Sequence, residues 1–410
     1  MLASLRALSI CLAFHHHGPR RPLVTMMKAA VELTPEQLAK REQRARQREA
    51  QQSPAGHAAA AAKAEAEAVA KRESRRLRDI QDAETLREWA ITDAVSGGTC
   101  ELVDIGANLV KVKGDGSLEQ QLRRCRLTGV SRVLVTGTSV AASRHALELV
   151  RQVRQAEGTP EAASARLEKF FCTAGVRLFC TAGVHPHDAK SCDEGTLVAL
   201  REMLSAPECV AVGECGLDYD RMFSPREVQL KWFAHQARLA AELKMPLFLH
   251  ERDVDTGKGE ALGSHQDLMD VLAEAGVRPE KACIHCFTGS EEQLRALVQR
   301  GYRIGLTGFV AMQERGAHVR EALRAGALPL ENLLLETDAP FMKPDKAYLP
   351  DVKALKRGQC EPCIVPAVCR AVAECLELPP EHVATITTAN ACAFFGLSAP
   401  CAVPVCRRDA

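Results

Sequence analysis

Two histidines and two carboxylates of this chain each end, or directly follow, a short aliphatic run. They are Glu214, His250, His285 and Asp338. In a parallel α/β barrel the carboxyl ends of all strands open onto one face, so side chains far apart in sequence can converge there. Two imidazoles and two carboxylates around one point form a site for a divalent metal ion. The pattern therefore predicts a metal-dependent hydrolase.

The elements that would position these residues begin near Glu101, where short aliphatic runs start to alternate with amphipathic segments. This alternation is typical of βαβ units. Segments 226–243 and 291–300 are long enough to be crossover helices. Eight units over roughly 300 residues favour an α/β fold of the (β/α)8 TIM-type barrel over an open sheet. The predicted strands are 102–105, 132–136, 178–183, 209–213, 246–250, 282–285, 303–306 and 333–336.

The bulk composition narrows the class of protein. The chain has 410 residues, 46% of them hydrophobic but only 4% aromatic, and a net charge of +1. That charge excludes a polybasic chain, so any nucleic-acid contact must come from a local patch. Several of the 17 cysteines lie inside apolar runs, which favours reduced thiols in a reducing compartment over disulfides. No apolar run approaches the roughly 18 residues that a membrane span needs, so no membrane is expected as a partner.

Residues 1–31 carry Arg6, Arg20, Arg21 and Lys28 but no acidic residue. This composition resembles an organellar transit peptide. The alternative is a disordered leader, with Met26 or Met27 as the true start. A transit peptide would place the protein in the mitochondrion or plastid, and its absence would favour the cytosol or nucleus.

Residues 32–98 predict a charged helical extension before a barrel at 99–398, and residues 399–410 predict a disordered tail. Thr34, Pro35 and Gln37 have the spacing of a helix start, and 53–56 predicts a break before a second helix at about 58–89. Apolar residues are too sparse for a buried face, so we expect these helices to be exposed, frayed or docked on a partner. Their protein partners cannot be named from sequence, and the basic stretch 40–48 favours a solvated surface over a nucleic-acid contact.

Four strings in this region resemble the signatures of one known family. They are TAGVHPH at 181–187, VGECGLDY at 212–219, HCFTG at 285–289 and ETDAP at 336–340. In this order and with these surroundings they are similar to the motifs of the TatD family of metal-dependent deoxyribonucleases, which are amidohydrolase-type barrels. The resemblance extends over about residues 101–397. It implies that Glu214, His250, His285 and Asp338 are the metal ligands.

The first predicted strand departs from the commonest family pattern. Many members begin with Asp-x-His-x-His, whereas this chain has Asp104, Gly106 and Asn108 at those places. It thus resembles the subgroup that lacks the N-terminal histidine pair. Gly106 has no ligating atom, and Asn108 offers only a weak amide oxygen. The resemblance implies Mg²⁺, with Mn²⁺ or Zn²⁺ as alternatives, and one ion, or two when substrate phosphate completes the weaker position.

Several polar residues near these motifs are candidates for substrate or supporting contacts. His185 and His187 are expected either to hold phosphate or water or to form a structural turn around Pro186. Asp218 is expected to orient a ligand imidazole. Arg252 is expected to contact phosphate or, alternatively, to pair with Asp253. A basic segment at 343–357 and a glycine-flanked lysine at 257–259 are further candidates for phosphate contacts.

Three further features leave alternatives open. Glu361 and Pro362 match a family string near the last helix whose preceding Arg and Asn are missing here. Cys360 and Cys363 form a Cys-x-x-Cys pair, for which packing is favoured over a zinc or redox role. The segment 171–176 repeats as 179–184, and we assign the strand to the second copy because that copy leads into His185.

A function follows from these observations together. Glu214 is the expected bridge if two ions bind, and Asp338 is the expected general base, because a carboxylate at the metal can accept a proton from bound water. The resemblance implies a nuclease that removes nucleotides from DNA ends, 3′ to 5′, preferring single strands, with RNA as a further substrate to test. Alternatives are a hydrolase of another phosphoester or an amide, and a non-catalytic scaffold. No aromatic stacking platform is evident from the sequence.

Overall fold

A computed structural model describes residues 34–109, 118–157, 175–254 and 260–398. The predicted leader at 1–31, the tail at 399–410, the lysine loop at 257–259 and most of the first copy of the repeated segment lie outside the described residues. The chain divides into two compact units, Met1–Arg75 and Arg76–Ala410.

The first unit contains helix α1 (Pro35–Gln52) and the beginning of helix α2 (Pro54–Trp89). The Thr34 side chain accepts a hydrogen bond from the Gln37 backbone, and the Gln37 side chain accepts one from the Thr34 backbone, as the predicted helix start requires. The break between the helices is shorter than expected, because Pro54 is itself the first residue of α2, a position that tolerates proline. None of the described helices is long and apolar enough to cross a membrane.

The end of α2 belongs to the second unit and corrects one expectation. Ala83 and Leu86 of α2 and Ala90 directly after it are buried, so this part of the extension does have an apolar face. Trp89 is half-buried, and the Arg370 guanidinium lies 4.9 Å from the centre of its ring. The prediction that the extension lacks a buried face is therefore wrong for its last turns.

The second unit is built on eight parallel strands that pair in sequence order. The backbone N–H of Asp338 donates to Gly106 O (2.8 Å) and that of Asn108 to Ala339 O (2.6 Å), which joins the last strand to the first. The predicted TIM-type barrel is confirmed. Its strands are β1 (Leu102–Ala107), β2 (Val130–Val135), β3 (Arg177–Ala182), β4 (Cys209–Asp218), β5 (Leu247–Arg252), β6 (Ala282–Ile284), β7 (Arg303–Leu306) and β8 (Leu333–Leu335).

The helices lie between and after the strands. The two predicted crossover helices, at 226–243 and 291–300, have the predicted bounds, and the second begins with a capping box formed by Ser290 and Gln293. The helices that follow α2 are α3 (Leu118–Leu127), α4 (Val140–Glu157), α5 (Thr196–Leu204), α6 (Arg226–Leu243), α7 (Ser264–Glu274), α8 (Glu291–Arg300), α9 (Ala317–Arg324), α10 (Lys353–Arg357), α11 (Val365–Leu376) and α12 (Pro380–Phe395).

Helix α12 closes one end of the barrel. Phe394 and Phe395 pack with the residues that fill the barrel interior, among them Val103 of β1 and Leu334 of β8. Thr388 donates to the backbone oxygen of Glu101, directly before β1 (2.8 Å), so this is the end at which strands begin. The carboxyl ends of the strands therefore form the opposite, open face, where active sites of such barrels lie.

Candidate active site

Glu214 reaches the open face from within a strand rather than from its end. We expected β4 to stop at Gly213, but it continues to Asp218. Its pairing with β5 is irregular between Val212 and Cys215, and Glu214 lies within this irregular stretch. The Glu214 backbone N–H donates to Gly137 O, after β2 (2.7 Å).

One oxygen of Glu214 lies close to three imidazole rings. Oε1 is 2.9 Å from His285 Nε2, 3.2 Å from His250 Nδ1 and 3.3 Å from His185 Nε2. These rings come from segments at the ends of β6, β5 and β3. Within the described residues, ligand atoms of His185, Glu214 and His250 lie within 4.8 Å of one another, close enough to share a metal ion.

The charges in this cluster are strongly coupled. Burial alone would raise the pKa of Glu214, but His285 and His185 hold that pKa well below its ordinary value. Burial lowers the pKa of His185 to about 4, against the opposing charge of Glu214. Burial would also lower the pKa of His285, yet Glu214 and Glu336 raise it well above its usual range. The carboxylate of Glu214 is therefore held ionised beside a neutral His185.

Glu336 contacts the ring nitrogen of His285 that faces away from Glu214. Its Oε2 lies 3.4 Å from His285 Nδ1, and its Oε1 accepts a hydrogen bond from the backbone of Cys286 (2.5 Å). A Cβ atom at Gly106 would lie 2.4 Å from Glu336 Oε2 and 2.9 Å from Phe248 Cζ. Residue 106 thus has no room for a histidine side chain in this arrangement.

Asp338 lies on the same open face, directly after β8. Burial raises its pKa to about 7, with the charges of Glu214 and Glu336 acting in the same direction and those of His285 and His250 opposing. Asn108 faces Asp338 with its amide nitrogen, 3.3 Å from Oδ1. In this arrangement Asn108 is a donor to Asp338.

Asp218 lies between two of the candidate histidines. Its Oδ2 is 2.7 Å from His187 Nε2 and 3.3 Å from His250 Nε2, while Oδ1 accepts from the backbone of Arg221 (2.9 Å). Burial would raise the pKa of Asp218, but the hydrogen bonds from His187 and His250 hold it below its ordinary value. The two nitrogens of His250 thus face Asp218 on one side and Glu214 on the other, the geometry that an orienting role requires.

One predicted pairing, that of Arg252, differs in the structure. Arg252 Nε donates to Asp220 Oδ2 (2.8 Å), whereas Asp253 accepts hydrogen bonds from the backbone of Leu262 and Ser264. The alternative that paired Arg252 with Asp253 is therefore wrong. The reason is that β5 extends through Arg252, beside Asp218 of β4, which brings its side chain to the loop after β4.

Glu361 and two lysines of the basic segment make contacts within the protein. Glu361 accepts two hydrogen bonds from Arg124 of α3, at 2.7 and 2.9 Å. Lys343 donates to Gly358 O, and Lys356 pairs with Asp351 at 2.9 Å. These contacts tie the chain after β8 to itself and to α3. Cys360 and Cys363 are buried free thiols.

The site residues line one cavity of about 540 Å³, within the range of ligand pockets. The sequence-predicted residues Asn108, His185, His187, Glu214, His250, Arg252, His285 and Asp338 all line it, and Asp218 lies directly behind His187 and His250. Sequence reasoning missed Arg221, Arg315 and Phe341, which also line it. Phe341 follows the ETDAP motif and could have been found there, but no local signal marks Arg315.

An acidic and imidazole-rich cluster at the carboxyl ends of a parallel barrel is the arrangement of metal-dependent hydrolases. Residues 103–396 match the family described as TatD related DNase. A 3′-5′ ssDNA/RNA exonuclease TatD from Cronobacter sakazakii is 35% identical over 295 residues, 72% of this chain and 97% of that protein. The chain therefore belongs to the TatD related DNase family, a family of nucleases, and the resemblance is confirmed.

Two solved structures support the same fold. A TatD family hydrolase from Entamoeba histolytica has a TM-score of 0.59 at 22% identity, covering 73% of this chain and 99% of that one. A TatD homologue from Escherichia coli has a TM-score of 0.57 at 25% identity, also covering 73% of this chain and 99% of that one. In both comparisons the part of this chain outside the match is about a quarter of its length.

Proposed function

We propose that this protein is a divalent-metal-dependent nuclease that hydrolyses DNA phosphodiester bonds from the 3′ end and prefers single strands. The observation that carries the proposal is the position of Glu214 Oε1 within 2.9–3.3 Å of three imidazole nitrogens. The polarity and strand preference, and activity on RNA as well, are supported by the name of the relative from Cronobacter sakazakii.

The residues present fit a resident metal ion. Carboxylate and imidazole groups are both ordinary metal ligands. Buried groups of these two kinds can lie this close together when one cation binds to both of them. We assign Glu214, His250, His285 and Asp338 as ligands, with His185 as a further candidate from the geometry. Mg²⁺ is the proposed ion, with Mn²⁺ and Zn²⁺ to be compared because imidazole favours softer ions than carboxylate does.

The ion would lower the pKa of water and neutralise charge on the phosphate oxygens. The chain's own groups supply the remaining steps. Asp338, which lines the cavity, is the proposed acceptor of the proton that the attacking water loses. Asp218 orients His250 by its 3.3 Å contact. Arg221 and Arg315 at the cavity wall offer positive charge to the phosphates on either side of the scissile bond.

The test is a digestion of 5′-labelled single-stranded DNA with Mg²⁺, Mn²⁺, Zn²⁺ or chelator. We expect a ladder of products shortened from the 3′ end that requires metal. Asp338→Asn should lower kcat by about 100-fold or more, the usual contribution of a positioned general base. Asp351→Asn, which changes a carboxylate that is 90% exposed, is the matched control and should retain full activity.

The same assay separates the alternatives. Cleavage of a small phosphodiester or an amide without loss of nucleotides would replace the nuclease by another hydrolase. A wild-type protein that is inert with every metal would favour a scaffold. Full activity in Asp338→Asn would refute the assignment of the base while leaving the nuclease class intact.

A further inference from the structure

Two exposed phenylalanines lie at the cavity, Phe341 in its wall and Phe223 beside His187 of that wall. Among the large hydrophobic residues that the structure describes as exposed, Phe223 (57% exposed) and Phe341 (50% exposed) are the only aromatic ones. The chain is poor in aromatic residues, at 4%, so the occurrence of both rings beside one cavity is informative. Exposed apolar residues that cluster at a functional cleft commonly mark a binding surface.

Phe341 is held in place by the turn that carries Asp338. Its backbone N–H donates to Asp338 O (2.9 Å), and its side chain lines the cavity. The turn is also tied to β1, because the Asp338 N–H donates to Gly106 O (2.8 Å). The ring is therefore presented to solvent from an anchored segment, three residues after the proposed base.

Phe223 lies beside the cavity in the segment that follows β4. Its ring centre is 4.6 Å from that of His187, edge to face, and His187 lines the cavity. The neighbouring Ser224 hydroxyl donates to His187 O (2.9 Å), and Gln229 donates to Ser224 O (2.8 Å). This ring is also exposed on a segment fixed by hydrogen bonds.

Two arginine side chains line the same cavity. Arg221, two residues before Phe223, lines the cavity while its guanidinium contacts Asp218 (3.2 Å). Arg315 also lines the cavity, is exposed, and packs over Phe309 at 5.4 Å. No carboxylate pairs with Arg315 among the residues that the structure describes. The site thus combines aromatic faces with cationic groups, the combination that holds single-stranded nucleic acid through bases and phosphates.

We propose that Phe223 and Phe341 form an aromatic rim on which unpaired bases of the substrate stack. The inference rests on the proposed nuclease function and specifies the substrate as the unpaired nucleotides at a strand end. A base can lay its face on a phenylalanine ring only when it is not stacked within a duplex. The rim therefore selects single-stranded ends independently of base identity, since every base has a π face.

The rim is tested by binding rather than by hydrolysis. We would measure fluorescence anisotropy of labelled single-stranded DNA with the Asp338→Asn protein in Mg²⁺, and add Phe223→Leu, Phe341→Leu or both. Each leucine keeps apolar bulk but removes the π face, and we expect affinity to fall by about five-fold or more per ring, as stacking contributions predict. Phe→Trp at either position should retain binding. Val198→Ala, at an exposed residue of α5 (70% exposed), is the control and should change nothing.

A second probe identifies the bases as the contacted groups. An oligonucleotide with abasic sites at its last three positions should bind the Asp338→Asn protein as weakly as ordinary DNA binds the double leucine variant. The leucine substitutions should have no further effect on that probe. Unchanged affinity of the leucine variants for ordinary DNA, or an equal loss for both probes, would overturn the aromatic rim.

The outcomes also separate the rim from the nuclease proposal. Unchanged binding by the leucine variants, in a protein whose wild type degrades DNA, removes the rim and leaves the nuclease. Ring-dependent binding in a protein whose wild type degrades no DNA with any metal supports the rim and removes the nuclease.

Discussion

At the scale of single residues, the position of Glu214 depends on how closely two backbones approach. Gly183, after β3, is packed directly against Gly213: a Cβ atom at residue 183 would lie 2.5 Å from Gly213 Cα and 2.6 Å from Gly213 C. Backbone atoms cannot rotate away as a side chain can. The absence of a side chain at Gly183 thus allows β4 to approach closely enough to place Glu214 beside His185.

We predict that Gly183→Ala lowers the free energy of unfolding by about 1–3 kcal/mol, the usual effect of overpacking. Urea denaturation followed by circular dichroism measures it. Gly98→Ala is the matched control, because the nearest atom to a Cβ there is the Ser96 hydroxyl at 3.4 Å, and its effect should stay within about 0.5 kcal/mol. Equal stability of the two variants would contradict the steric argument.

At the scale of elements, α2 is one helix with two environments. Its N-terminal part belongs to the first unit, where Val69 is exposed, and its last turns belong to the barrel unit. Leu77 is 59% exposed and Leu86 is 1% exposed on the same helix. The two leucines are nine residues apart, so at about 3.6 residues per turn they lie on opposite faces of the helix. Which of the two faces is buried is decided by the partner surface, and residues far away in sequence supply that surface.

Leu86→Ala should lower the free energy of unfolding by about 2–5 kcal/mol, because it leaves a cavity in a packed interface. Leu77→Ala, on the exposed part of the helix, should change it by less than about 0.5 kcal/mol. Both are measured on the full chain by thermal and urea unfolding of the barrel. A comparable loss in the two variants would show that both faces of this part of α2 are packed.

At the scale of the whole molecule, the barrel gathers groups from six strands onto one face. His185, Glu214, His250, His285 and Asp338 follow or belong to β3, β4, β5, β6 and β8, and Asn108 follows β1. These groups are close together only in the folded chain, so an ion held by them binds the native state in preference to the unfolded one.

Removal of metal should therefore destabilise the protein. At a free metal concentration 100 times the Kd, binding contributes about 2.7 kcal/mol, and chelation should lower Tm by several degrees in differential scanning calorimetry. Glu214→Gln should abolish the difference between metal and chelator. His145→Ala, at an exposed histidine of α4, should retain it. A Tm of the wild type that is indifferent to metal would argue against a resident ion.

Much of the fold could be predicted because its signals are local. Aliphatic runs mark the strands, and the longer segments between them mark α6 and α8, whose bounds match the predicted ones. The side chains at the strand ends follow from the same pattern, because a parallel barrel presents all of its strand ends on one face. For that reason the sequence by itself determined the architecture and which residues would meet on the open face.

The tertiary structure decided how those residues are paired. The third imidazole beside Glu214, that of His185, is brought there by the close approach of β3 and β4. The partner of Arg252 is Asp220 rather than its neighbour in sequence, and Glu361 is occupied by Arg124. The aromatic rim combines loops after β4 and β8. Such contacts depend on the register of strands and the course of loops, and these are determined by long-range packing that local sequence patterns do not encode.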